Sequence, residues 1–325
     1  MASANVTVLP STYVGQLATP FVAPAILSAD SIANGYLSVI ENVRFKANLK
    51  KFTGGAIQDR TCEFSSSESP NQMILKDVVL ETSQLQVNEQ ICNKDLAQDW
   101  AAAQMNGADA GAPNAYAGFI SQYVAKITAA DVEQNIWSGK YYHVSGATGA
   151  PGGSGVTTPQ SFEGILNKYV AVTSPTHETT NVGAWTGTTS ATVGIISRLA
   201  ALIADAPAAI AGDPDAFIYM SRKSAGLYYT ALAATYDLPF LNDGLVARYA
   251  GYTIITPAGF PDDTAVLSKK DNMYFGTNVL TDMIEARILD LTAVTGDAVT
   301  RCALLFDAGC QIVDEASMAV CRRSS

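Results

Sequence analysis

The chain has 325 residues, enough for one large core or two moderate ones, and carries a formal net charge of −10. Charged residues make up 15% and apolar residues 48%, against roughly 25% charged in ordinary soluble proteins; much of the surface is therefore expected to lie against other chains, because interface cores are depleted of charge. The acidic balance argues against nucleic-acid binding through an extensive basic surface, and no run of about 18 apolar residues offers a membrane-spanning helix.

Residues 1–42 read as an extended arm. Tyr13 to Ser28 is uncharged, but no Lys or Arg precedes Arg44, and Pro20 and Pro24 interrupt any apolar helix, so no signal peptide is expected. From 43 to 50 the chain alternates strictly, with Val43, Phe45, Ala47 and Leu49 on one side and Arg44, Lys46, Asn48 and Lys50 on the other, the period of a half-buried strand. A polar stretch follows to Pro70, strand character resumes over Met73 to Leu80, and alternation returns at Leu85, Val87 and Ile91. Two strands with a polar tip make a ribbon. Alone it is marginal in water, and its open edges invite pairing. Such an arm makes physical sense resting on a neighbouring chain; an ordinary hairpin within one sheet is the alternative.

Asp95 to Met105 reads as a short helix, followed by a Gly/Ala/Asn linker. Pro113 suits the first turn of a longer helix, in which Tyr116, Phe119, Ile120, Tyr123, Val124 and Ile127 share one face and Ser138-Gly139 supplies the stop. Its expected length of about 25 residues corresponds to roughly 37 Å. Ser145 to Pro159 is a low-complexity loop; it lacks the Lys-Ser/Thr of a phosphate-binding loop and the spacing of a nucleophile elbow.

The second half alternates helix and strand. Thr192 to Ala206 is an expected helix with Val193, Ile196, Leu199 and Ile203 on its apolar face, Ala216 to Met220 a strand, and Ser221 the cap of a helix reaching about Ala234. Asp213/Asp215 and Asp262/Asp263 fall in turns, where local hydrogen bonding explains them better than catalysis or calcium. The five cysteines, an odd number, exclude complete intrachain pairing. They are expected to be reduced during assembly. Cys302 and Cys310 are expected to flank a turn. His143 and His177 are the only histidines, and packing accounts for them better than metal ligation.

Between Gly251 and Val320 the order is distinctive: strand Gly251–Thr256, a Pro/Gly/Asp loop to Asp263, strand Thr264–Ser268, then Asn272-Met-Tyr-Phe-Gly276-Thr277, Met283–Ile288, and strands around Phe306-Asp-Ala-Gly-Cys310. This order resembles the C-terminal half of Hong Kong 97-type major capsid proteins of tailed bacteriophages, in which an Asn–apolar–apolar–Gly–Thr turn closes the axial domain and a strand ending in an Ala-Gly pair returns to the peripheral domain. The resemblance spans roughly residues 40 to 322. It implies an α+β capsid fold with N-terminal arm (1–42), extended loop and peripheral strands (43–92), peripheral domain with spine helix (93–140), axial domain (141–280) and returning peripheral strands (281–325).

The implied function is self-assembly, as pentamers and hexamers, into an icosahedral shell that encloses double-stranded DNA without gripping it. No cofactor, metal, membrane or reaction is implied, and the implied location is the virion, assembled in the host bacterial cytoplasm. The absence of a charged helical segment before the arm implies a separate scaffolding protein; a portal and a decoration protein are further implied partners. Lys50, Lys51, Arg60 and Cys62 are the candidate contacts between subunits. Some relatives join a loop Lys to an Asn of a neighbour's peripheral domain; here no Asn follows Asn278, so a shell without that bond is expected. The alternatives are an encapsulin-type shell around protein cargo, a tail-tube subunit, and an α/β enzyme, which would need a nucleophile, acid and base brought together.

Overall fold

The computed structural model describes residues 11–14, 29–53, 74–92, 114–139, 162–171, 177–181, 183–188, 190, 193–236, 248–278, 285–291, 296 and 299–323. The expected helix at Asp95–Met105, the loop tip, the Ser145–Pro159 loop and His143 lie outside them. In chain order the strands are β1 (Ser11–Val14), β2 (Ser38–Ile40), β3 (Lys46–Thr53), β4 (Ile74–Glu81), β5 (Ser83–Cys92), β6 (Glu178–Asn181) and β7 (Ala216–Met220). They continue as β8 (Arg248–Tyr249), β9 (Tyr252–Ile255), β10 (Thr264–Lys269), β11 (Met273–Thr277), β12 (Glu285–Asp290), β13 (Val299–Ile312) and β14 (Met318–Arg323). The helices are α1 (Asp30–Ala33), α2 (Asn114–Ser138), α3 (Ile165–Ala171), α4 (Ile195–Ala204) and α5 (Arg222–Tyr236). None is long and apolar enough to cross a membrane.

One six-stranded sheet is organised on β13, which pairs antiparallel with β5, β12 and β11; β1 and β2 extend it through β12 and β11. Cys302, Leu304, Phe306, Ala308, Cys310 and Ile312 all point into the core from this one strand. Cys302 and Cys310 therefore flank no turn. Asp307 and Gly309, which resemble turn residues in sequence, are held in the strand instead, one by a side-chain clamp and the other by a crossing chain.

The long helix α2 has the expected span. Its buried stripe is Val124, Thr128, Val132 and Ile136 beside Ala125, Ala129, Glu133 and Trp137, two rows at i, i+4 spacing. Tyr123 and Ile127, which the apolar spacing assigned to the buried face, are exposed. Trp137 decides the rotation: fully buried, it stacks near Tyr219 (5.4 Å) and Phe260 (4.9 Å), and one aromatic residue of that size outweighs a rim of smaller contacts. Its indole N–H donates to Ser31 Oγ (2.9 Å) and Glu133 Oε1 (3.3 Å), while Ser31 donates to Glu133 from its backbone N–H (2.8 Å) and hydroxyl (2.6 Å). Ala29, Ser31 and Leu37 are thus core residues, although the sequence placed them in an arm.

The second six-stranded sheet has the order β6-β14-β10-β7-β9-β8. It is buried on both faces, which is why β7 and β10 are nearly continuous apolar runs. Ile218, Met220, Leu267, Ala319 and Cys321 meet α4 and α5, whereas Tyr219, Val266, Met318 and Val320 join the core under α2. Helix α4 buries Ile195, Arg198, Leu199 and Leu202, with Ile196 and Ile203 only partly buried, a rotation of about one position from the expected face. Ser221 caps α5 as its sequence implies, its hydroxyl accepting from the Ser224 N–H at 3.1 Å. The chain passes from this sheet to the first through the 3-10 turn Lys270–Asn272 and returns through Glu315–Ser317. Strand β11 hence belongs to the first sheet and β14 to the second, so the sequence boundary at 280 does not coincide with a change of sheet.

Candidate assembly surface

Among the described residues, strands β3 and β4 pair only with each other, in register from Lys46↔Glu81 to Thr53↔Ile74. Alternation gives the ribbon two faces. The inward face carries Ala47, Leu49, Lys51, Val78 and Leu80, all half-buried or buried, and the exposed Lys76 opposite Lys51. The outward face carries Asn48, Lys50 and Asp77 and the cross-strand pair Phe52–Leu75, exposed to 68% and 49%, with exposed Val79 beside them. Lys46 pairs with Glu81 at 3.2 Å and lies over the Phe45 ring at 5.1 Å. Phe45 itself is exposed, because a bend at Arg44–Phe45 breaks the alternation read from the sequence.

At its base the ribbon crosses the first sheet over a pair of glycines. Gly276 of β11 and Gly309 of β13 are register partners. A Cβ on Gly309 would overlap the Glu81 carbonyl oxygen, and one on Gly276 would lie 2.7 Å from the Leu80 side chain. Only bare backbone lets the ribbon pass. Thr82 N–H donates to the Phe45 carbonyl (3.1 Å) and Val43 N–H to that of Thr277 (3.0 Å), closing the crossing.

Two asparagines of the C-terminal motif flank this crossing. Asn278 donates to Asp307 Oδ2 and accepts from the Asp307 N–H, both at 2.8 Å; burial raises the Asp307 pKa. Asn272 donates to the Asp314 carbonyl (2.8 Å) and accepts from the Asp314 N–H (2.7 Å). It thereby ties together the two turns that connect the sheets. The Asp314 carboxylate accepts from the Ala316 N–H (3.0 Å), the Ser317 hydroxyl (2.7 Å) and Lys51 Nζ (2.5 Å). Partial burial alone would raise its pKa, but the hydrogen bonds from Lys51 and Ser317 and the Lys51 charge hold it below the ordinary carboxylate value.

Of the residues singled out by sequence, Lys50 is on the exposed outward face and Lys51 is turned inward to Asp314; Arg60 and Cys62 lie outside the described residues. Cys92, Cys302 and Cys310 are free thiols, and burial pushes the Cys302 pKa up to about 11. The acidic pairs serve turns and ties. Asp213 accepts from the Asp215 N–H (2.9 Å) and pairs with Lys269, and Asp262 accepts from Ser221 (2.8 Å) and Lys223 (3.0 Å). Among the described residues no three His, Cys, Asp or Glu side chains group as a metal site. A cleft of about 650 Å³ at the ribbon's base, lined in part by Arg44, Glu81, Glu163, Lys168 and Asp307, is of mixed charge. The sequence reading missed Phe52 and Leu75. Their signal was an apolar residue at each of two positions that this register sets opposite one another.

No protein-family model and no curated protein matches the chain. Solved structures do. The chain is similar to a chain of the satellite phage P4 procapsid, a particle that includes the size-determination (Sid) protein, at a TM-score of 0.60 and 15% identity over 99% of this chain and 94% of that one. A chain of the native GTA particle capsid matches at 0.52 and 14% over 100% and 95%, and one from Mycobacterium phage Adephagia at 0.52 and 10% over 100% and 94%. The chain has the α+β fold of Hong Kong 97-like capsid subunits.

Proposed function

We propose that this chain is a major capsid protein that self-assembles as pentamers and hexamers into an icosahedral shell enclosing double-stranded DNA. The observation that carries the reading is a fold shared end to end with capsid-particle chains. An outward ribbon face bearing Phe52, Leu75 and Val79 in the open supports it independently. Apolar side chains on a ribbon with no third strand among the described residues gain burial only from another molecule. In this reading the β3–β4 ribbon is the extended loop and α2 the spine helix. The first sheet is the peripheral domain, and the second sheet with α4 and α5 is the axial domain. The N-terminal strand β1 belongs to the arm. The chain works by assembly in the host cytoplasm, with a scaffolding protein, a portal and a decoration protein as partners, and carries out no reaction.

Negative-stain electron microscopy and sizing chromatography of the purified protein test this. Pentamers, hexamers or closed shells are expected, and shells recovered from infected cells should protect DNA from nuclease. A dispersed monomer with catalytic activity overturns the reading. Shells filled with protein and no protected DNA would favour a cargo compartment.

A further inference from the structure

The ribbon meets its own subunit in two unlike ways. At the base it is welded over Gly276 and Gly309, with the Glu81 backbone against Gly309 and the Leu80 side chain against Gly276. Farther out its inward face stands off the body across a cavity of about 300 Å³, lined in part by Lys51, Lys76, Val78, Tyr169, Ile312 and Asp314. Among the described residues, Lys51–Asp314 is the ion pair that bridges this gap. Lys51 lies five positions along the strand from Lys46 at the base, about 17 Å of lever.

Lys51 and its cross-strand partner Lys76 break the inward face's apolar character; Lys76 is exposed, whereas Lys51 is not. Its side chain is only 21% exposed, and a charge on so covered a side chain is costly unless paired. Its partner is unusually well held. Asp314 is fixed through its side chain by Ala316 and Ser317 and through its backbone, on both sides of the peptide group, by Asn272. Asn272 sits in the other turn between the sheets, so Asp314 is where the first sheet, the second sheet and the ribbon meet.

We propose that the Lys51–Asp314 pair is a strut that sets the pitch of the ribbon against the body and couples that pitch to the paired turns joining the two sheets. The pitch decides where Phe52 and Leu75 point, and so which surface of a second copy they reach. The strut itself stands on the geometry of one chain; only its effect on particles rests on the shell reading.

The test compares Lys51→Ala with Lys50→Ala, which removes the same charge from the outward face, and with Lys51→Arg, which keeps the pairing. Hydrogen exchange is followed on dissociated subunits and particle diameters by electron microscopy. A ribbon freed from the body is marginal, so its β3 and β4 amides should exchange about tenfold faster in Lys51→Ala and within about twofold of wild type in the other two. Lys51→Ala particles should show a broadened diameter distribution. Wild-type exchange in Lys51→Ala, or equal acceleration in Lys50→Ala, overturns the strut. Faster exchange with an unchanged diameter distribution keeps the strut and overturns its role in shell geometry. If the wild type forms no particles, the shell reading falls while the exchange comparison still decides the strut.

Discussion

The second sheet and the β3–β4 ribbon are built from similar residues and stabilised in opposite ways. In the sheet, Ile218, Met220, Val266 and Leu267 are fully buried, and helices or core cover both faces. In the ribbon, Phe52 and Leu75 form a cross-strand pair in the open, and the inward face borders a cavity that, among the described residues, the Lys51–Asp314 ion pair bridges. On the proposed reading, neighbours cover the subunit, and one element can be left unfinished within the chain. The difference teaches that the sheet's stability is internal to the chain, whereas the ribbon rests on the glycine crossing and the Lys51–Asp314 pair and, on the proposed reading, on a second molecule.

Breaking the weld should have the largest effect. Gly309→Ala drives a Cβ into the Glu81 carbonyl oxygen, backbone that cannot step aside; chemical denaturation of the dissociated subunit should show a loss of about 3 kcal/mol. Gly276→Ala meets the movable end of the Leu80 side chain instead and should cost about 1 kcal/mol. Equal costs would mean that the crossing is not held by its backbone.

The strut sharpens the comparison through pH. The folded pKa of Asp314 lies below its ordinary value of 3.8, so its contribution is fully present above that value and is lost as pH falls through the depressed folded pKa. Asp314→Asn should lower the melting temperature at pH 7, by an amount that corresponds to about 1 kcal/mol. The gap should close only below pH 3.8. The neighbouring charges Lys76, Asp77 and Glu315 line the same cavity and are present in both proteins. A gap independent of pH would show that Asp314 acts through its packing and not through its charge.

The smallest effect on the subunit should come from the outward face. Phe52→Ser removes a mostly exposed ring, and denaturation of the dissociated chain should change by less than about 0.5 kcal/mol. The yield of assembled particles, measured by sedimentation, should nevertheless fall sharply. A stability loss as large as that of Gly309→Ala would place Phe52 in the subunit's own core.

Much of the fold could be read without coordinates, where one pattern had one meaning. The long helix, Ala216–Met220, the Ser221 cap and the paired strands on either side of the loop tip are of this kind. Errors arose where two readings were locally equal. Helix α2 carries apolar residues on more than one side, and only Trp137, seated between Tyr219 and Phe260, settles which side is buried. Asp307-Ala-Gly309 has the composition of a turn, yet Asn278 and the crossing ribbon hold it extended. Lys51 reads as one cation among several, yet it continues the phase of Ala47 and Leu49, and that phase calls for an inward partner.

The sequence by itself determined the elements, their order and the paucity of charge that points to a covered surface, because helical and strand periods, caps and composition are local or additive properties. It also carried the Asn272–Thr277 motif that marks the fold. Only the tertiary structure decided that Asn272 clamps Asp314 and Asn278 clamps Asp307, that β11 and β14 exchange sheets, and that Gly276 and Gly309 lie beneath the ribbon. Those contacts join residues some 30 to over 200 positions apart. Closing loops of such length costs nearly the same for many alternative partners, so packing of the whole chain, and no local preference, selects among them.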